Sequence, residues 1–135
     1  MLIPNKGYVL HKAWLLRLLT AICEDPKLSL RLAFKGGTCA AMRGFLNRFS
    51  IDLDFDFLAS EKEMPDVQYA LEAIFERLGL KIKDKSAKAP QYFLRYSNAD
   101  AHRQNTIKLA TSLPVPKSNT YEMVRLAEID RVVKC

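Results

Sequence analysis

Residues 51–58, IDLDFDFL, alternate apolar and acidic side chains without a break. Successive side chains of an extended chain point to opposite sides, so Ile51, Leu53, Phe55 and Phe57 share one face and Asp52, Asp54 and Asp56 the other. A segment with this period belongs in a sheet, with its apolar side on a core. The opposite side then carries three like charges in a row, on a residue type that forms strands poorly. Two readings account for them. The face is solvated, or Asp52 and Asp54 hold a divalent cation that neutralises them, for which Mg²⁺ with its oxygen ligands is the natural choice.

The preceding segment, LAFKGGT, adds a second signal. A short strand over about residues 30–35 is expected to run into Gly36-Gly37, with Thr38 capping a helix that begins CAAMRGFL. Backbone amides at a helix start attract anions. Glycines leave those amides open to phosphate oxygens. A tight turn explains the glycine pair by itself. A phosphate-binding turn followed by a metal-binding aspartate pair is, however, what nucleotidyl transfer requires: a grip on the β- and γ-phosphates, and cations that align a hydroxyl with the α-phosphorus.

The remaining pattern points to one α+β domain, a small mixed sheet flanked by helices. A wide apolar stripe over residues 8–24 predicts a core helix that ends at Asp25-Pro26. Helical spacing returns over 66–78, with Gly79 placed to stop it. Strands are expected at 80–84, 92–96 and 106–112, and LPVPKSN reads as a turn or irregular crossover. The last fifteen residues fit either a helix or an exposed strand. With 135 residues the chain holds one core comfortably and two poorly. No apolar run is long enough to span a membrane, and the first residues lack the features of a secretory signal. Cys23, Cys39 and Cys135 form no metal-ligand pattern with His11 and His102, so reduced thiols in a cytoplasmic protein are expected. A net charge of +6 favours polyanionic partners.

The runs KGGT and RFSIDLDFDF resemble the AbiEii/AbiGii-type nucleotidyltransferase toxins, whose members carry a KGGT-like turn and an R-x-S-x-D-L-D-F segment within a polymerase-β-like fold. The stretch IKLATSLPVPKSNTYEMVRL looks like the next block of that family, a K-x-E-I-S-x-R strand followed by N-x-Y-E. The resemblance implies that Gly36, Gly37 and Thr38 hold a triphosphate, with Lys35 beside them. It implies that Asp52 and Asp54 are catalytic and bind Mg²⁺, and that Arg48 and Ser50 brace the strand or contact phosphate. Asp56 falls on the same face, further from the reaction. A nucleoside triphosphate, an acceptor hydroxyl on RNA or protein, and an antitoxin partner are implied in the same way.

Two departures support a rival reading. Ala110 stands where the family carries an acidic residue, and Pro114 where an arginine often follows. The helical C-terminal half usual in the family has no counterpart in these 135 residues. The rival is a truncated or degenerate, non-catalytic module that binds nucleotide, nucleic acid or a partner protein. Trp14 is expected in the core. Tyr92, Phe93, Arg95 and Tyr96 suit a half-buried strand better than a base-stacking surface. Lys81, Lys83, Lys85 and Lys88 are expected on a solvated hairpin, and His11 and His102 as ordinary surface or internally satisfied residues.

Overall fold

The alternating segment forms β2 (Leu53–Phe57), which lies inside a five-stranded sheet. The structure, a computed structural model, describes residues 1, 8–46, 49–86, 89–97, 105–113 and 120–135. Their order is α1 (Val9–Glu24), α2 (Pro26–Ser29), β1 (Leu32–Lys35), α3 (Gly36–Met42), β2, a 3-10 turn (Glu61–Glu63), α4 (Met64–Leu78), β3 (Lys81–Ser86), β4 (Gln91–Arg95), β5 (Thr106–Ser112), β6 (Met123–Leu126) and β7 (Arg131–Lys134). The sheet order is β1-β2-β5-β4-β3. Only the β2–β5 pair among these is parallel; β1–β2, β4–β5 and β3–β4 are antiparallel, so the sheet is mixed.

Register fixes which residues share a side. One row runs Lys35, Asp54, Ala110, Gln91 across β1, β2, β5 and β4. The adjacent row on the same side holds Ala33, Asp56 and Ser112. The other side is apolar: Leu53, Phe55 and Phe57 join Tyr92, Leu94, Ile107 and Leu109 in one buried cluster with Leu15, Leu18, Leu19 and Ile22 of α1 and Val67, Leu71, Ile74 and Phe75 of α4. Removing this much apolar surface from water is the main force holding helices to sheet.

Several element boundaries differ from the sequence expectation. Asp25-Pro26 ends α1 but also opens α2, because the Asp25 carboxylate accepts hydrogen bonds from the Lys27 and Leu28 amides. β1 starts at Leu32, after that extra turn. Thr38 is not the cap of α3. The helix already begins at Gly36 with Lys35 as its N-cap residue, and the Thr38 hydroxyl turns inward. α4 begins two residues before the expected Asp66, prepared by a capping box between Ser60 and Glu63, and stops at Gly79 with φ +79°.

The ambiguous last fifteen residues form a hairpin, β6 and β7, pairing Met123 with Lys134 through Leu126 with Arg131. Leu126, Ile129 and Val133 from it reach the core. β3 carries the lysine-rich segment as an edge strand exposed along its whole length. Trp14 is half-buried at the core margin, stacked 5.9 Å from Tyr96 with the Arg17 guanidinium over its ring. Lys88, His102 and LPVPKSN from Pro114 onward lie outside the described residues. Among the described residues no helix is long and apolar enough to cross a membrane. Leu71→Ala should cost about 2–5 kcal/mol of unfolding free energy in a denaturant titration, since Leu71 is fully buried between helix and sheet.

Candidate functional site

The glycine turn and the aspartates meet. Gly36 leaves β1 at φ +82°, a conformation that favours glycine, and lies so close to Asp54 that an added Cβ would stand 2.7 Å from Asp54 Oδ2. Thr38, fully buried one turn into α3, donates its hydroxyl to the backbone carbonyl of Asp52. The segment after β1 and the entry to β2 are therefore joined twice, once by close packing and once by a hydrogen bond. Gly37 and Ser50 stand half-buried on either side of this junction in sequence, and Arg48 lies outside the described residues.

The three aspartates have separate environments. Asp52 precedes β2 and is half-buried. Asp54 sits within β2, also half-buried, and its pKa is raised above the ordinary carboxylate value. Partial burial is the main cause and the neighbouring Asp52 charge the next, opposed by Lys108 and Lys35. Asp56 is buried to 5% exposure, against the simple alternation that would leave it as open as Asp54. The reason is local: Lys35 Nζ lies 2.7 Å from Asp56 Oδ1, and the Tyr121 hydroxyl donates to Oδ2 at 2.7 Å. Lys35 also donates to Ser112 Oγ. The ammonium of Lys35 thus faces its own sheet row and the next, within the field of Asp54.

Ala110 is the direct register partner of Asp54 on β5, at the position where the family resemblance implies an acidic residue. Among the described residues no three His, Cys, Asp or Glu side chains converge on one point that could hold a metal ion. Asp52 and Asp54 remain as an oxygen-donor pair whose mutual repulsion a cation would relieve.

Sequence reasoning did not find His11 or Tyr121 as parts of this region. His11 is completely buried; its Nε2 lies 2.8 Å from the Ile51 carbonyl and its Nδ1 2.8 Å from the Tyr96 hydroxyl. A histidine on a helix 40 positions before its partner gives no local signal. Tyr121 follows the NT dipeptide of NTYE and could have been sought from that block alone.

Two outcomes test this geometry. Gly36→Ala should lower the melting temperature and displace the Asp54 carboxylate, visible as a change in the Asp54 titration by NMR, because the new methyl collides with Oδ2 and the left-handed φ is strained. Burial holds the His11 pKa below its ordinary value near 6.5. The unfolded chain therefore binds that proton more readily, so stability is full above about pH 6.5 and falls as the pH drops toward the lowered native value. His11→Gln should flatten this slope in melting temperatures measured across that window.

The comparisons with known proteins bear on the family and the fold. The family model described as "Nucleotidyl transferase AbiEii toxin, Type IV TA system" matches residues 17–132. A crystal structure of an H. pylori protein assigned as a nucleotidyltransferase superposes with a TM-score of 0.57 at 21% identity, over 96% of this chain. At that identity the likeness concerns the fold, and the chain spans 54% of the H. pylori chain's length. No curated protein sequence matches. The matched span takes in the glycine turn, both aspartates and β1 through β6, and on it the chain belongs to the AbiEii nucleotidyltransferase toxin family.

Proposed function

We propose that the chain is a Mg²⁺-dependent nucleotidyltransferase of toxin type, transferring a nucleotide from a nucleoside triphosphate to a hydroxyl on RNA or protein. The observation that carries the reading is the contact between Gly36 and the Asp54 carboxylate, which sets a side-chain-free turn against a cation-seeking pair of aspartates. In this reading the amides of Gly36, Gly37 and Thr38 receive the terminal phosphates. The Thr38 side chain, engaged with Asp52, acts on the site from behind. Lys35, held between Asp56 and Ser112, would have to turn from its Asp56 partner to meet a phosphate, and in place it holds Asp56 beside the site.

The donor set fits Mg²⁺. Two carboxylates without nitrogen or sulfur partners suit a hard cation that keeps several waters and takes further oxygens from substrate phosphates. Asp52 and Asp54 would hold it, and bound there it supplies Lewis-acid stabilisation of the charge that develops on the transferring phosphoryl group. The chain's own part is to fix the two carboxylates and the amides relative to each other, so that triphosphate and acceptor meet in line. An antitoxin partner follows from the family's toxin–antitoxin description.

A second reading is favoured by one specific observation, Ala110 in register with Asp54. It takes the chain as a non-catalytic module that binds nucleotide, nucleic acid or a partner protein. The test is a transfer assay with each labelled triphosphate and candidate RNA and protein acceptors, run beside thermal shift. The enzyme reading expects Mg²⁺ plus triphosphate to raise the melting temperature and label to appear on an acceptor, both lost in Asp52→Asn and Asp54→Asn. Stabilisation without transfer to any acceptor favours the module. Because its ionised form is disfavoured in the native state, Asp54→Asn should also stabilise the metal-free protein at neutral pH, which separates loss of ligand binding from loss of fold.

A further inference from the structure

Asp52 presents a mechanical problem. It lies one residue outside β2, and the ladder pairings begin at Leu53 with β5 and at Asp54 with β1. The carboxylate assigned to the cation therefore stands on backbone that the sheet does not hold. Two buried side chains take over that task. The Thr38 hydroxyl donates to the carbonyl of Asp52 itself, and His11 bonds the carbonyl of Ile51 at 2.8 Å. Those carbonyls belong to the two peptide planes on either side of the Asp52 Cα. Restraining both planes restrains φ and ψ at Asp52, and with them the direction of its Cα–Cβ bond, from which the carboxylate projects.

The protonation of His11 follows from its partners. A carbonyl oxygen only accepts, so Nε2 carries the proton. The neutral ring then accepts at Nδ1 from the Tyr96 hydroxyl, just beyond β4. Rings of Tyr8, Phe49 and Tyr96 close around the imidazole and keep water from competing for either bond. The charged groups near His11 are limited in effect: Asp52 acts on it electrostatically, and burial outweighs that pull.

We propose that His11, oriented by Tyr96, is a positioning residue for Asp52: the Tyr96–His11–Ile51 relay, together with Thr38, holds the first aspartate in the geometry that accepts the cation. It rests on the reading of Asp52 as a metal ligand. Outer-shell groups that orient a metal ligand change metal affinity by about 10–100-fold when removed, and His11 would act in this way through the peptide that precedes Asp52.

The test measures Mn²⁺ affinity by paramagnetic resonance and hydrogen exchange over residues 51–53 in the full chain. His11→Ala should weaken Mn²⁺ binding at least about 10-fold and speed exchange at 51–53 more than at β4 or α4. His11→Gln keeps an amide donor at the Nε2 position and should recover most of the affinity, which a purely space-filling role would not do. Tyr96→Phe keeps the ring packing while releasing Nδ1, and carries the test if His11→Ala does not fold; it should weaken Mn²⁺ several-fold. Unchanged Mn²⁺ affinity in a folded His11→Ala or in Tyr96→Phe overturns the proposal, as does failure of His11→Gln to recover any. Asp52→Asn is the separating control. If Asp52→Asn binds Mn²⁺ like the parent, the metal reading of Asp52 has failed, and the exchange data alone decide whether His11 fixes the backbone.

Discussion

The close approach of the Asp54 carboxylate to a glycine without a Cβ shapes the candidate site. Gly36 and Asp54 are neighbours only because β1 and β2 pair antiparallel with Lys35 opposite Asp54, and because the residue after Lys35 has no side chain. A side chain at position 36 would collide with the Asp54 carboxylate and displace it, and would strain the left-handed backbone of the turn. The same closeness explains the left-handed backbone at Gly36: the chain must bend sharply out of the sheet to begin α3 within one residue.

Around that contact the charges are sorted by depth. Asp56 lies deepest and is neutralised internally by Lys35, with Tyr121 satisfying its second oxygen. Burying a lone carboxylate is expensive unless it is paired and hydrogen-bonded, and here both conditions are met. Asp54 and Asp52 lie nearer the surface with each other for neighbours, and the Asp54 charge is only partly offset by Lys108 and Lys35. The site thus has a carboxylate pair without an internal counter-charge of its own beside the paired Asp56, and the proposed cation would supply that counter-charge.

Much of this was legible in the sequence. The period-2 run at 51–58 named its own buried face, and KGGT announced the turn beside it, because both signals depend on residues adjacent in the chain. The register that brings Gly36 to Asp54 and Ala110 beside it was not legible, since it depends on which strands pair. Nor was the depth of Asp56, which is set by Tyr121 from a segment 65 positions away. Thr38 illustrates the general difficulty. Its local context suits a helix cap, yet a distant carbonyl claims the hydroxyl, and tertiary geometry overrides local preference. The final hairpin was ambiguous for a similar reason: Met123, Leu126, Ile129 and Val133 repeat at a helical interval, but only Leu126, Ile129 and Val133 are buried.

At the far side of the sheet from the glycine turn, β3 has no neighbouring strand on its outer side among the described residues. Such a border is an invitation for two molecules to zip together and for the assembly to continue into insoluble ribbons. Lys81, Lys83 and Lys85 place positive charge along it, so two copies approaching border to border repel before their backbones can meet. Chemical blocking of these amines, or their exchange for valine, would remove that repulsion and favour border-to-border association of copies.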